Sequence, residues 1–464
     1  MTSISILARL EKIVGTAYLY TQTELLQKYA HDETEDLHFM PDFVVCPADV
    51  EQISQILKLC SETNTPITPR GAGTGLAGGA LPVAGGGVLS LERLNRILDI
   101  DTQNLQATVE AGVITETLQN AVEALGLYYP NAPASSGTCF IGGNVNTNAG
   151  GIRTVKYGGL REYVLNLEVV LANGERIWTG ANTLKNSTAY SLTQLLIGSE
   201  GTLGVITKIV LKLLPLPSCR LLLFMQFADP EKACLGVNRI LAGAKVLPSA
   251  LEFMEAAALR KAYAYLGESP QAWDADPKGA YLLVELDGNN QEALWADAER
   301  IHAHLQDLQS ADFLVADDSQ TQNAWWRVRK CIGRAVKRGT IYKEEDTVVP
   351  RAYLPDLFAK VKSVGQAYGF ESVCYGHAGD GNLHINILKG ALSDDFWKNI
   401  LPLAIREIFE YAKQLGGTIS GEHGIGWVQR PYLDIVLSPV HIQLLKGIKS
   451  AFDPSGILNP QKIY

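Results

Sequence analysis

Glycine gathers into three stretches of this chain, and the first is too rich in it to be helix or strand. Residues 71–87 read GAGTGLAGGALPVAGGG, residues 135–151 read SSGTCFIGGNVNTNAGG, and residues 198–207 read GSEGTLGVIT. Glycine gives up the most backbone freedom on folding, and it leaves N–H groups bare, so such runs suit places where backbone must approach a ligand closely. Glycine is 43 of 464 residues, roughly 9% against the usual ~7%, and the surplus sits in these clusters. Gly73, Gly75 and Gly78 satisfy GxGxxG. A dinucleotide fingerprint, however, needs a helix directly after it and an acid about twenty residues on. Leu81-Pro82 and Gly85-Gly86-Gly87 follow instead, so no helix starts there. What remains is a phosphate cradle of backbone N–H groups, with Arg70 adding charge at its start.

Composition narrows the rest. The chain carries 40 Lys and Arg against 49 Asp and Glu, a formal charge of −9, and is 47% hydrophobic. That apolar share excludes sustained disorder, and the acidic balance argues against nucleic acid as the main partner. No apolar run reaches the roughly 18–20 residues that span a bilayer. The opening MTSISILARLEKIVG reads as an amphipathic helix rather than a signal peptide. Seven scattered cysteines without a CxxC pair read as reduced thiols. The expected location is the cytoplasm, with peripheral membrane attachment left open.

Apolar periodicity predicts a helix over 49–64, opened by a capping box at Asp49 and Gln52. Strands follow near 65–68, 88–91 and 108–113, and a helix over 115–125 ends at Gly126. Residues 130–151 read as a loop throughout. Strands near 164–171 and 205–213 close this region, with Asn173-Gly174 as a turn. Pro215 and Pro217 mark a boundary. Beyond it come a strand at 221–227, a helix at 229–243, strands at 250–254 and 281–286, a helix at 291–308 and a strand at 312–316. That β-α-β-β-α-β order is a ferredoxin-like unit. A basic helix covers 321–339. The chain is read as α+β: residues 1–217 form one domain, rejoined by 440–464, and 218–439 form a second.

His377-Ala378-Gly379-Asp380-Gly381-Asn382-Leu383-His384 lies between two strand-like runs. A two-residue turn at Asp380-Gly381 would set His377 opposite His384 and Tyr375 opposite Asn386, all on one face. Opposed imidazoles about 5 Å apart can share one metal. Glu422, in Ser420-Gly421-Glu422-His423-Gly424, can supply a third ligand and leave an open position. On extended chain its neighbour His423 would point the other way.

The motifs PRGAGTG, IGGNVNTNAGG and GSEGTLGVIT, in this order, resemble the FAD-binding half of the vanillyl-alcohol-oxidase flavoprotein superfamily. They are most similar to its D-2-hydroxyacid dehydrogenase branch, over about residues 40–217 and 320–464. The resemblance implies a two-part, PCMH-type FAD-binding domain with a ferredoxin-like cap. It places Arg70, Gly71, Ala72, Gly73, Thr74 and Gly75 on the FAD pyrophosphate. The ring and ribityl chain fall to Ser135, Gly137, Thr138, Gly142, Gly143, Asn148, Gly150, Glu200, Gly201, Gly204, Val205 and Ile206, with Asn459 in the C-terminal return. Some relatives tether flavin through a histidine in the first loop. Gly73-Thr74-Gly75 has none, so the FAD is expected to be noncovalent, and Cys139 to be a packed thiol.

HAGDGNLH and SGEHGIG match the family's metal and base motifs. They carry a divalent metal (Zn or Mn) to His377, His384 and Glu422, and the general base to His423. Arg329, in Trp326-Arg327-Val328-Arg329-Lys330, resembles the family's carboxylate clamp, with Arg327 as a rival. Asn386 and Tyr375 are further candidates for substrate contact. Glu344 falls where 2-hydroxyglutarate enzymes carry a lysine, which favours a small monocarboxylate. The expected activity is oxidation of D-lactate or glycolate to the 2-oxo acid, with hydride passing to flavin and on to an unnamed electron acceptor. Partner subunits or a homodimer fit the family. The competing readings are a D-2-hydroxyglutarate dehydrogenase, a flavin-binding noncatalytic subunit of a glycolate oxidase complex, and a metal hydrolase that would leave the glycine clusters unexplained.

Overall fold

The computed structural model describes residues 6–268, 279–308 and 313–464. The chain divides into two compact units. Met1–Gly150, Gly159–Leu216 and Glu422–Tyr464 form the first, and Gly151–Gly158 with Pro217–Gly421 the second. Two boundaries differ from the sequence reading. The return begins at Glu422 rather than 440, and residues 151–158 belong with the second unit. The physical reason for the latter is charge. Glu285 and Asp287 are buried in the strand Ala280–Gly288, and buried carboxylates need partners. Arg153 pairs with Glu285, Lys156 Nζ donates to the Asp287 carbonyl at 2.8 Å, and Tyr157 Oη donates to the Asp287 carboxylate at 2.7 Å.

In the first unit, Asp49 caps the helix Val50–Glu62 by accepting the Gln52 N–H at 2.9 Å. The Gln52 side chain accepts the N–H of Ala48 at 2.8 Å, one residue earlier than a standard capping box. Ile53, Ile56, Leu57 and Cys60 give this helix its buried stripe. The strands Phe43–Val45, Gly87–Ser90 and Ile67–Arg70 pair in parallel, with Leu19–Tyr20 antiparallel at the edge. A five-stranded antiparallel sheet runs in the order Ile97–Asp101, Gln106–Glu110, Val205–Lys212, Val164–Val170, Arg176–Trp178. Asn173-Gly174 turns its last hairpin, with Gly174 at φ 84°. Residues 71–86 form no helix or strand. The second glycine stretch departs from expectation, because Ile141–Thr147 is a helix. Its apolar Ile141 and Val145 are buried, and Asn148 ends it in the left-handed region at φ 51°.

The return is fastened by polar side chains inside this unit. Asn459 Nδ2 donates to the carbonyls of Gly79 and Glu200 at 2.9 and 2.7 Å. The Glu200 carboxylate accepts the N–H groups of Ile425 and Gly426, each at 2.8 Å. Burial pushes Glu200 up to about 7, against the pull of those two N–H groups. Lys462 donates to Asn459 Oδ1 at 3.1 Å and to the Leu81 carbonyl, and burial lowers it to about 8.

The second unit begins with the ferredoxin-like set: Cys219–Phe227, the helix Pro230–Asn238, Ala250–Glu255, Ala280–Gly288, the helix Gln291–Leu305 and Leu314–Ala316. The four strands lie fourth, first, third, second across the sheet. The helix Ala256–Leu266 is an insertion the sequence reading missed, and residue 312 of the expected last strand lies outside the described residues. The sheet does not stop at four strands. Glu371–Gly376 pairs with Ala250–Glu255, and Asn382–Leu388 and then Tyr342–Val348 extend it to seven. Strand alternation sorts this extension into two faces. Leu383, Ile385 and Ile387 point one way, as does Phe253, whose ring packs 5.7 Å from Phe358 of the helix Leu354–Tyr368. Asn382, His384 and Asn386 point the other way and are equally buried.

Two outcomes follow. Gly381 has φ 76°, and a Cβ there would run into the Val349 carbonyl. Gly381→Ala should therefore cost about 2–4 kcal/mol, read from the urea midpoint. Glu200 ionises well above an unfolded glutamate, so the folded state holds a proton that the unfolded chain has lost between pH ~4.5 and ~7. Wild-type stability relative to Glu200→Gln should fall as pH rises across that window. A difference in melting temperature that stays constant from pH 5 to 7.5 would contradict this.

Candidate active site

One cavity in the first unit is bordered by all three glycine stretches. Arg70, Gly71, Ala72, Gly73, Thr74 and Gly75 line it, with Ser135, Gly142, Gly143, Glu200 and Gly201. A Cβ on Gly75 or Gly143 would meet no atom within 4 Å, so at both positions bare backbone faces open space. That is the cradle a flavin dinucleotide needs. Asn146, which the sequence reading passed over, also borders it and accepts the Gly201 N–H at 2.9 Å, tying the second stretch to the third.

Other residues assigned to the cofactor do not line this cavity. Gly137 and Thr138 form an exposed turn, with the Thr138 N–H on the Ser135 carbonyl at 2.8 Å. Gly204, Val205 and Ile206 lead into a strand, Asn148 ends a helix, and Asn459 fastens the return. Gly150 leaves room for the Glu422 side chain, which a Cβ would meet at 2.6 Å. Arg70 borders the cavity but its guanidinium donates to the His31 carbonyl at 2.8 Å, so it holds residues 29–31 in place. Cys139 Sγ lies 3.3 Å from Thr115 Oγ1, buried and off the cavity wall. All seven cysteines are unpaired.

Glu422 and His423 also border this cavity. The chain bends at 421–423 rather than running extended. Glu422 Oε1 and His423 Nε2 are 3.9 Å apart, so the two side chains are not opposed as alternation would have them.

The polar face of the second unit holds the other candidates. The hairpin register differs from the expected one by two residues. A helical turn over Ala378–Asp380 makes the loop longer than two residues, so Tyr375, not His377, pairs with His384, and Asn386 pairs with Val373. A shift of two preserves the face. The His377 and His384 rings therefore still meet edge to face at 5.2 Å, with a ring nitrogen of each within 4.8 Å of the other. His377 Nδ1 lies 2.8 Å from a Glu252 oxygen. Histidines that bind metal are commonly oriented by a carboxylate in this way.

Arg329 also reaches Glu252, forming an ion pair. Burial pushes Glu252 up, but Arg329 and His377 outweigh it and hold the carboxylate below its ordinary range. The Arg329 Nε is buried with no hydrogen-bond partner among the described residues, as a guanidinium awaiting a carboxylate would be. The guanidinium lies over the Tyr375 ring at 5.2 Å. The rival Arg327 is exposed and paired with Glu268 at 2.6 Å. The sequence reading gave no site role to Glu252, Asp346 or Lys337. For Glu252 a signal existed, a single acid inside the otherwise apolar Ala250-Leu251-Glu252-Phe253-Met254. Asp346 accepts from Asn382 Nδ2 at 2.6 Å and from the Gly421 N–H at 2.8 Å, roles that depend on tertiary pairing.

Comparison with known proteins agrees with these two sets of features. Residues 41–180 match the family described as "FAD binding domain", and 216–463 match "FAD linked oxidases, C-terminal domain". The chain is 40% identical to the glycolate oxidase subunit GlcD of Bacillus subtilis, over 94% of this chain and 92% of that protein. It is 37% identical to a D-lactate dehydrogenase of Anaerostipes hadrus, over 95% and 93%. It is 33% identical to a D-2-hydroxyglutarate dehydrogenase of Stutzerimonas stutzeri over the full length of both. The structure of p-cresol methylhydroxylase with substrate bound shares the fold, with TM-score 0.81 at 18% identity, over 98% of this chain and 96% of that one. With a flavin cradle in one unit and both family regions matched along its length, the chain belongs to the FAD-linked oxidases and is an FAD-linked oxidoreductase.

Proposed function

We propose that this protein oxidises a small D-2-hydroxy acid, D-lactate or glycolate, to the 2-oxo acid, using noncovalent FAD and a divalent metal, Zn or Mn. The observation that carries this reading is Arg329: a buried guanidinium with an unsatisfied Nε, on the same polar face as the His377–His384 pair. The names of the relatives, a D-lactate dehydrogenase and a glycolate oxidase subunit, point the same way. The latter also makes partner subunits part of the proposal. No helix among the described residues is long and apolar enough to cross a membrane. When bound, FAD supplies a hydride acceptor, and the metal supplies a Lewis acid that lowers the substrate hydroxyl pKa.

The chain's own residues have distinct tasks. Arg329 takes the substrate carboxylate bidentately and sets which face of Cα is presented. Glu252 fixes the His377 ring, so that Nε2 of His377 and a nitrogen of His384 can hold the metal. Glu422 is assigned as the third ligand from its motif. His423 accepts the hydroxyl proton as general base.

Metal analysis tests the ligand set: His377→Ala, His384→Ala and Glu422→Ala should each lose bound metal and keep FAD. Unchanged metal in all three variants would show that the site is misassigned. Anaerobic single-turnover reduction by D-lactate or glycolate tests the chemistry apart from any acceptor. His423→Asn should slow flavin reduction ~10²–10⁴-fold with FAD and metal retained. Reduction at wild-type speed would remove His423 from the mechanism, and a wild-type flavin that no 2-hydroxy acid reduces would overturn the proposed function.

A further inference from the structure

We infer that Glu200 is a positioning residue for His423: its carboxylate seats the turn that follows the base, and the return holds that seat in place. The inference rests on the proposed function, which makes His423 the general base. Two left-handed glycines, Gly424 at φ 82° and Gly426 at φ 50°, bracket Ile425. Successive N–H groups in such a turn point to one side and form a small seat for an anion. Glu200 fills it. Oε1 accepts the Ile425 N–H and Oε2 accepts the Gly426 N–H, each at 2.8 Å. The fit leaves no slack. A Cβ on Gly424 would meet Glu200 Oε1 at 2.9 Å, and one on Gly426 would run into the Ala77 carbonyl. Both carboxylate oxygens are taken by backbone, so Glu200 serves the cavity it borders by shaping the wall that carries His423.

The turn is held from its other side as well. The Ala77 carbonyl, in the first glycine stretch, accepts the N–H groups of Trp427 and Val428 at 2.8 and 3.2 Å, and the Ile463 N–H donates to the Gly426 carbonyl at 3.0 Å. Asn459 Nδ2 donates to the Glu200 carbonyl at 2.7 Å, and the buried Lys462 ammonium donates to Asn459 Oδ1 at 3.1 Å. Backbone strain marks the same residues. Glu200, Asn459, Gln461 and Ile463 all have φ between 40° and 68°, and Ile463 is β-branched, a side chain poorly suited to that region. Strain of this kind persists where the surroundings over-determine it, and it gathers at functional sites. His423 directly precedes the turn and sits on a bend, with no helix or strand to fix it. A general base must stand within hydrogen-bond reach of the proton it takes, and a displacement of about 1 Å costs on the order of 10²-fold in rate. The seat at Glu200 supplies the fixed point from which His423 is placed.

The test is anaerobic stopped-flow reduction of FAD- and metal-loaded protein by D-lactate or glycolate, comparing Glu200→Gln, His423→Asn and the double variant. It is run at about pH 8.5, where Glu200 is ionised. Glutamine keeps the side-chain length but turns an NH₂ group toward one of the two backbone donors, so the turn has to shift. Glu200→Gln should lower the limiting rate ~10–10²-fold, with FAD content and substrate Kd at wild-type values. The double variant should react no more slowly than His423→Asn alone, because Glu200 acts only through the base. Losses that multiply in the double variant would give Glu200 an independent task, and FAD lost from Glu200→Gln would make it a cofactor residue; either overturns the inference. Should Glu200→Gln fail to fold, Lys462→Met puts the same question through Asn459. A smaller fall in limiting rate, absent when His423 is already asparagine, is expected there, and an unchanged rate overturns the inference. If no 2-hydroxy acid reduces the wild-type flavin, or if His423→Asn reacts at wild-type speed, the proposed function fails and this inference with it. A slow His423→Asn beside a Glu200→Gln of wild-type speed overturns this inference alone.

Discussion

A carboxylate with no exposure to water cannot stay ionised without compensation, and Glu252 is such a group. It sits in a strand whose neighbours are apolar, at the position where the ferredoxin-like sheet receives its three added strands. Arg329 arrives from a helix, and His377 from the end of the next strand; both converge on it. This one anion therefore fixes the orientation of a guanidinium and of an imidazole. Removing Arg329 would take away the cation that balances this buried carboxylate, and removing Glu252 would leave the Arg329 guanidinium without its ion-pair partner and the His377 ring without the group that orients it. Much of the polar face of the second unit is organised by this contact, because it determines where the Arg329 guanidinium and the His377 ring can be.

The first unit solves a different problem. Its cavity is walled by backbone, and glycines keep side chains out of it. That leaves little for side chains to hold together, and the unit meets the need with a few buried polar knots. Asn146 joins the second glycine stretch to the third, Glu200 takes two N–H groups of the loop just after His423, and Asn459 ties the return to Glu200 and Gly79. Each knot is a side chain satisfying backbone groups that would otherwise be buried and unpaired. Several residues that the motifs assign to the cofactor belong to these knots or to the strand starts behind them, not to the cavity wall. A long motif in such a protein combines residues that touch the ligand with residues that shape the loop around it.

Glu344 is a second buried carboxylate on the polar face of the second unit. Its carboxylate accepts from the Tyr375 hydroxyl and pairs with the Lys337 ammonium. A buried ion pair is a poor source of stability compared with apolar packing.

The sequence alone determined the glycine stretches, the absence of a dinucleotide fingerprint, the ferredoxin-like strand order and the histidine–glutamate–histidine motifs, because these depend on local chemistry and spacing. It also placed His377 and His384 on one face despite a register wrong by two, since a strand's alternation has period two and survives such a slip. Tertiary structure decided the rest. The helix Ile141–Thr147 forms in a run whose two glycines disfavour it, because Ile141 and Val145 find a core to enter. Arg329 rather than Arg327 became the buried arginine because only one of them faces Glu252. Glu252, Asp346 and Lys337 acquired their roles from strands and helices distant in sequence. Residues 151–158 joined the second unit because the acids that neutralise Arg153 and Lys156 lie some 130 residues away. Pairing between distant charges leaves no periodic trace in the chain, and so only the folded structure could show it.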